Sequence, residues 1–566
     1  MSYNQEMSLR NIVLTGFMGT GKTTVGRLLA SQTTREFLDT DELIEAKAGR
    51  SIADIFTIDG EKAFRLMERE VARDLAGREN LVIATGGRFM IDPLNAQLLG
   101  QTSIIICLTA EPNEILDRLS ADTLRRPLLE VPDPALQIKQ LLDERSEAYG
   151  QFQQVTTSGK NPQSITSEII ELITRLENEV DWQVPFHSRI PVRYPGGRYL
   201  VKIGQNLLSH LEKSLDPDGP YAIVTDSNVG PLYSENLASL DPMALITIPA
   251  GEEYKTLNSV RIIYDQLLSY GLDRKSTIIA LGGGVVGDMA GFAAATYMRG
   301  VRFIQCPTTV LAMVDASVGG KTGVDLPQGK NLIGAFKQPH AVIADLATLA
   351  TLPAVELSAG MAEVVKSGLI ASPTLLEELS GMLQNRHTNE TKRSDIVDGR
   401  PMSVAKNWPK NGSILTMGDL QLLIVESILI KRDIVEVDPF ESGYRKVLNL
   451  GHTFAHAIEQ VSNYQVRHGQ AVAIGLVAAI NLSAKLGHCS PEIEGYIERL
   501  LNSLVLPIRI PAGLAPGKLI RAMGSDKKRT KNKLQFVLIR DIGDVFVSDQ
   551  VPQGAVHQTM VDLQSN

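Results

Sequence analysis

The chain has 566 residues, well beyond the roughly 250 to 300 at which a single hydrophobic core stops growing, so two or more domains are expected. With 43% apolar and 21% charged residues it is neither disordered nor fibrous, and a net charge of −8 leaves no overall basic field to gather nucleic acid or an anionic membrane. Three separated cysteines, Cys107, Cys306 and Cys489, argue against a disulfide framework and fit a reducing cytoplasm. The longest apolar run, Ala471 to Leu482, falls short of the roughly 18 residues of a membrane span.

In chain order, Asn11 to Thr15, Leu81 to Thr85 and Ser103 to Leu108 are short β-branched runs between amphipathic segments, the pattern of an α/β domain. A helical stretch from Pro162 to Val180 gives way to a proline-bearing segment without period, which places a linker at 178–187 after a first domain, 1–177. Strand runs at Arg198 to Ile203, Tyr221 to Thr225, Ala244 to Ile248, Thr277 to Leu281 and Arg302 to Gln305 predict a second α/β domain over 188–350. Beyond Leu352-Pro353 the helical period dominates 351–566. Helices are expected over 354–370, 417–435, 447–461 and 470–487, with a polar surface insertion over 384–418.

Gly16-Phe-Met-Gly19-Thr20-Gly21-Lys22-Thr23 fits GxxxxGK[ST] between a predicted strand and a predicted helix, the context that motif requires. Its backbone N–H groups, with Thr24 behind them, suit a nucleotide's phosphates; Lys22 offsets their charge and Thr23 can ligate Mg²⁺. Asp39-Thr-Asp41, Gly60-Glu-Lys-Ala-Phe-Arg65, Thr85-Gly86-Gly87, Arg126-Pro-Leu-Leu129 and Arg145 follow in order. With these motifs residues 8 to 155 resemble shikimate kinase, of the nucleoside monophosphate kinase-like P-loop fold. The resemblance implies ATP- and Mg²⁺-dependent phosphorylation of the shikimate 3-hydroxyl. Asp41 would bind ring hydroxyls and orient the attacking one, and Gly86 and Gly87 would let the backbone approach the substrate. Arg65 and Arg145 would clamp its carboxylate, and Arg126 would stabilise the transferring phosphoryl group, tasks for which a planar guanidinium is suited. One departure stands out: where the family has a third consecutive glycine, this chain has Arg88.

In the second half, Gly282-Gly283-Gly284-Val-Val-Gly287-Asp288 follows an apolar strand and precedes a small-residue helix, so it can present backbone amides to a pyrophosphate. Glu363 lies in a helical run, His452 and His456 share a helix face, and His468 opens another helix. Glu/His/His is a three-ligand set suited to Zn²⁺ with one position open, and paired ligation by His452 and His456 is an alternative. Lys321, Lys330, Lys431 and Arg445 supply cations suited to a phosphorylated, carboxylated substrate.

Together with Pro307-Thr308-Thr309, Asp315 to Gly323, Gly329-Lys330-Asn331, Ala362 to Lys366, Leu448 to Glu459 and His468-Gly469, these motifs resemble 3-dehydroquinate synthase over about residues 188 to 550. The resemblance implies an α/β NAD-binding domain followed by a mainly helical metal-binding domain, with Zn²⁺ (or Co²⁺) on Glu363, His452 and His468 and with His456 left for proton transfer or phosphate binding. It places NAD at Asp226, Asn228, Glu252, Lys255, Gly283, Gly284, Asp288, Thr308, Thr309, Thr351, Leu352 and Glu356, with Asp315 and Lys330 near cofactor and substrate. Around the substrate it places Arg299, Lys321, Asn331, Lys431, Arg445, Asn449 and Lys528. The implied reaction turns 3-deoxy-D-arabino-heptulosonate 7-phosphate into 3-dehydroquinate and phosphate, with NAD reduced and regenerated. A homodimer through the synthase part is also implied. The chain is thus expected to be a bifunctional cytoplasmic enzyme, not a nucleic-acid or membrane binder. Two alternatives are that the P-loop domain only senses nucleotide, or that the C-terminal part is a polyol dehydrogenase.

Overall fold

The computed structural model describes residues 10–120, 131–179, 187–214, 219–384, 396–397, 400–401, 415–525 and 534–565. Two compact units divide the chain, Met1–Arg189 and Ile190–Asn566.

In the first unit β1 (Asn11–Thr15), β2 (Glu36–Asp39), β3 (Leu81–Ala84), β4 (Ser103–Thr109) and β5 (Gln153–Thr156) form a parallel sheet in the order β2-β3-β1-β4-β5. Ile12, Leu14, Val82, Ile104 and Ile106 of the central strands pack with Val25 and Leu29 of the Lys22–Thr33 helix and Ile165, Ile169 and Ile173 of the Pro162–Glu179 helix. Helices shield the central strands, so these read as continuous apolar runs. The edge strands β2 and β5 are half-exposed or exposed along most of their length, which is why they carry no such signal. The parallel arrangement brings the carboxyl ends of β1, β2 and β3 to one rim, where Asp39 ends β2 and Gly16 and Gly86 follow β1 and β3.

β6 (Ser188–Tyr194) begins just ahead of the second unit and runs into it, followed by β7 (Gly197–Gly204), β8 (Tyr221–Asp226), β9 (Ala244–Ile248), β10 (Thr277–Gly282), β11 (Arg302–Pro307), β12 (Lys321–Leu326), β13 (Gly329–Phe336) and β14 (Ala341–Asp345). Seven of them form one sheet, ordered β6-β7-β14-β11-β10-β8-β9, while β12 and β13 pair as a separate antiparallel hairpin. The hairpin is absent from the sequence-based expectation.

The helical part is built on Ala354–Ala371, Met417–Val437, His452–Val461 and His468–Lys485. The helix expected over 447–461 is broken: Tyr444–Asn449 forms a 3-10 turn, and Gly451, at φ 77°, resets the chain so that a new helix starts at His452. The helix expected from 470 starts at His468. The expected 384–418 insertion lies largely outside the described residues; its last positions belong to the Met417–Val437 helix, whose start is fixed by a reciprocal capping box between Thr416 and Asp419. No helix among the described residues is long and apolar enough to cross a membrane.

Candidate active sites

In the first unit the Lys22 ammonium donates to the carbonyls of Gly16 and Phe17 at 3.0 and 2.9 Å, so it lies over the loop that would hold a phosphate. Thr20 ties the loop to itself through Phe17 O at 2.7 Å. Thr23 donates to Asp39 Oδ2 at 3.0 Å, and Asp39 Oδ1 accepts from the Asp41 N–H at 3.1 Å, capping the Thr40–Ala48 helix. Gly86 accommodates Asp41: a Cβ there would stand 2.5 Å from Asp41 Oδ1. Arg145 is buried, with its guanidinium 5.1 Å from the Phe17 ring and its Nη1 lacking a hydrogen-bond partner among the described residues. Arg65 is held by Glu68 at 2.7 Å and Glu61 at 3.0 Å. A P-loop cation, the Asp39 and Asp41 carboxylates and two arginines are thus gathered in this unit. Arg126 lies outside the described residues.

Two residues of this unit were not among those expected. Asp39 bonds the hydroxyl that follows the P-loop lysine, a role signalled only by its place two residues before Asp41. Arg118 donates to Gly19 O at 3.2 Å and to Thr157 Oγ1 at 3.0 Å, buttressing the loop from the Pro112–Ser120 helix; nothing in its sequence context marks it.

In the second unit Glu363, His452 and His468 come together from three helices, with one ligand atom of each within 4.8 Å of the others. His452 Nε2 and His468 Nε2 stand 3.8 and 3.6 Å from Glu363 Oε1, a buried oxygen without a hydrogen-bond partner among the described residues. Their other ring nitrogens are engaged, His452 Nδ1 with Leu450 O at 3.1 Å and His468 Nδ1 with Glu459 Oε1 at 3.3 Å. Outer partners of this kind orient imidazoles toward a metal. Burial pushes the His452 pKa down to about 3, favouring the neutral ligand form. Burial also opposes a charge on His468, but the Glu363 and Glu459 carboxylates outweigh it and raise its pKa to about 9. An orphaned carboxylate oxygen facing two aligned imidazoles fits a divalent metal. His456 packs beside the cluster, its ring 5.5 Å from that of His452 and 6.4 Å from that of His468.

Four of the expected cations, Lys255, Lys321, Lys330 and Lys431, are paired with carboxylates, and so is Lys366. Lys366 Nζ pairs with Glu363 at 2.5 Å and faces Asp315 at 3.9 Å; Lys431 pairs with the same Asp315, whose pKa lies well below the usual range because the two ammoniums outweigh burial. Lys330 bridges Glu459 and Glu252 at 3.0 and 3.1 Å. Lys255 joins Asp288 and Asn331, both at 2.7 Å, which links the helix after the glycine loop to the β13 segment. Lys321 and Asn449 meet on Glu441 at 2.6 and 3.0 Å. Arg445 is buried, its guanidinium donating to Pro439 O at 2.6 Å and Gly319 O at 3.1 Å.

Gly283 and Gly284 open the Gly284–Thr296 helix, with Thr309 near Gly283. Thr308 N donates to Gly282 O at 3.0 Å. At the end of β8, Asp226 accepts from the N–H groups of Asn228 and Val229 at 2.8 and 2.9 Å. Thr351 meets the Tyr233 hydroxyl at 2.5 Å, Leu352 closes that turn, and Glu356 faces Arg467 at 3.6 Å. Arg299 sits in a turn at φ 67°, and Lys528 lies outside the described residues. Lys366, Glu441 and Glu459 were not among the expected site residues, although the first lies one helical turn from Glu363 and the last lies on the same helix as His452.

Gly469 sets how closely the helices carrying His468 and Glu363 approach. A Cβ at Gly469 would stand 2.1 Å from Ala359 O, a backbone atom that cannot rotate away. Gly469→Ala is therefore expected to cost about 1–3 kcal/mol of stability and to loosen metal binding, read by thermal melting and bound-metal content. An unchanged melting temperature with full metal occupancy would contradict this.

The shikimate kinase family matches residues 18–174, and the N- and C-terminal families of 3-dehydroquinate synthase match 245–359 and 360–529. The 3-dehydroquinate synthase of Synechococcus sp. is 41% identical over 383 residues, covering 66% of this chain and 98% of the relative. That of Acidithiobacillus ferrooxidans is 45% identical over 348 residues, covering 60% of this chain and 88% of the relative. A solved 2-deoxy-scyllo-inosose synthase, complexed with carbaglucose-6-phosphate, NAD⁺ and Co²⁺, is 25% identical with a TM-score of 0.55, covering 66% of this chain and 99% of that one. The chain therefore belongs to the 3-dehydroquinate synthase family and carries a shikimate kinase domain ahead of the synthase.

Proposed function

We propose that the two units run two non-consecutive steps of one pathway: phosphorylation of shikimate by ATP, and conversion of 3-deoxy-D-arabino-heptulosonate 7-phosphate to 3-dehydroquinate and phosphate. The observation that carries the synthase half is the Glu363/His452/His468 cluster, with outer ring nitrogens engaged and Glu363 Oε1 without a hydrogen-bond partner among the described residues. These three residues would hold Zn²⁺ or Co²⁺, and the loop at Gly283 and Gly284, with Asp226, Asn228, Glu252, Lys255, Asp288, Thr308, Thr309, Thr351, Leu352 and Glu356, would hold NAD. Bound there, the metal would supply Lewis-acid polarisation of a substrate oxygen and NAD would supply reversible hydride transfer. Lys321, Lys330, Asn331, Lys431, Asn449, Arg299 and Lys528 orient the anionic substrate, and Asp315 fixes Lys431. Arg445 supports that pocket through its hold on Gly319 and Pro439. His456 stands beside the cluster with a ring that can move a proton during phosphate loss.

In the kinase half Lys22 would pass from its loop carbonyls to the phosphates, with Thr23 and Asp39 placed for Mg²⁺ and its waters. Asp41 would orient the attacking hydroxyl, Arg65 and Arg145 would clamp the carboxylate, and Arg126 would steady the phosphoryl group.

Phosphate release from the heptulosonate phosphate, with NAD present and no net NADH accumulation, is the expected result for the intact chain. Net NADH from a polyol, without phosphate release, would instead make the second unit a polyol dehydrogenase. The resemblance also supports a homodimer through the synthase part, and three separated free cysteines support a reducing cytoplasmic setting.

A further inference from the structure

Arg88 stands where the kinase family carries a glycine, yet its backbone, at φ −115° and ψ −4°, is a conformation open to any residue, so no glycine is needed. Its side chain is half-exposed and its Nη1 donates to Glu61 Oε1 at 2.7 Å. That oxygen also accepts from Arg65, Nη2 at 3.0 Å and Nε at 3.3 Å, while Arg65 Nη1 is committed to Glu68 at 2.7 Å. Burial, then the charges of Arg65 and Arg145 among others, lower the Arg88 pKa, so three guanidiniums share one field. Without Arg88, Arg65 would carry two carboxylates alone, and neutralised by both it would attract a third poorly.

We propose that Arg88 is a positioning residue of the kinase site: by sharing Glu61 Oε1 with Arg65, it offsets part of the negative charge that Glu61 sets against Arg65 and leaves the Arg65 guanidinium a stronger attraction for the substrate carboxylate. This rests on the kinase reading. The interaction is electrostatic, partly exposed and transmitted through Glu61, which sets its size and its salt dependence.

Arg88→Gly is expected to raise the shikimate KM about three- to five-fold while kcat changes less than about twofold, with the difference shrinking at high salt. Arg88→Lys should recover most of the loss. Glu61→Gln placed in the Arg88→Gly chain should bring KM back toward the starting value, because it removes the carboxylate whose charge Arg88 offsets. A kcat within about twofold of the starting chain reports that the kinase unit of each variant is folded. A shikimate KM unmoved by Arg88→Gly, or raised but not reversed by Glu61→Gln, overturns the proposal and leaves the kinase reading intact. An unsubstituted chain that neither binds nor phosphorylates shikimate overturns both.

Discussion

Glu363→Gln is expected to abolish dehydroquinate synthesis, by at least about 1000-fold, and to leave the folded chain with little bound metal. Glu363 is the only anionic member of the three-residue cluster found among the described residues, and His452 and His468 direct Nε2 at its Oε1 from 3.8 and 3.6 Å. The amide keeps the volume but removes the charge, and it presents a nitrogen in place of one ligand oxygen. It also takes from Lys366 its nearest counter-ion, at 2.5 Å, leaving a buried ammonium with Asp315 alone at 3.9 Å. A drop in melting temperature should therefore accompany the loss of activity. Bound metal by elemental analysis and phosphate release by a coupled assay read the two effects. A variant with full metal and full activity would place the metal elsewhere.

Lys22→Ala has the second largest expected effect, a fall of about 10²- to 10³-fold in shikimate-dependent ADP formation with the synthase rate unchanged. In the structure the ammonium rests on Gly16 O and Phe17 O, the inner wall of the loop, within reach of any phosphate seated there. Removing it takes away the only side-chain charge the loop itself contributes, while the backbone amides remain. Loss of kinase activity together with synthase activity would contradict a local role.

Much of this was legible because the chemistry sits in contiguous motifs. The P-loop and the glycine turn after β10 each lie where a β-branched run ends, His468 opens a helix, and the fold places them there. The β12–β13 hairpin was not legible, for a physical reason. Gly323 and Gly334 face each other across it, and a Cβ on Gly334 would lie 2.3 Å from Thr322 O. Glycines forced by close strand approach look in sequence like loop glycines. The break at Gly451 was hidden in the opposite way, by apolar residues on both sides that continue a helical rhythm the backbone does not follow. Lys366, Glu441 and Glu459 escaped because charged residues are ordinarily solvated; only the folded chain brings them against Glu363, Lys321 and His468. Asp39 and Arg118 act on the loop from separate elements, contacts that single-chain spacing does not encode.

The claim that one chain carries two working sites is tested most directly by assaying shikimate-dependent ADP formation in the purified Glu363→Gln chain. The expected result is ADP formation at the rate of the unsubstituted chain while phosphate release from the heptulosonate phosphate is lost. A folded chain whose ADP formation does not depend on shikimate would contradict it and would leave the first unit a nucleotide-binding module without kinase chemistry.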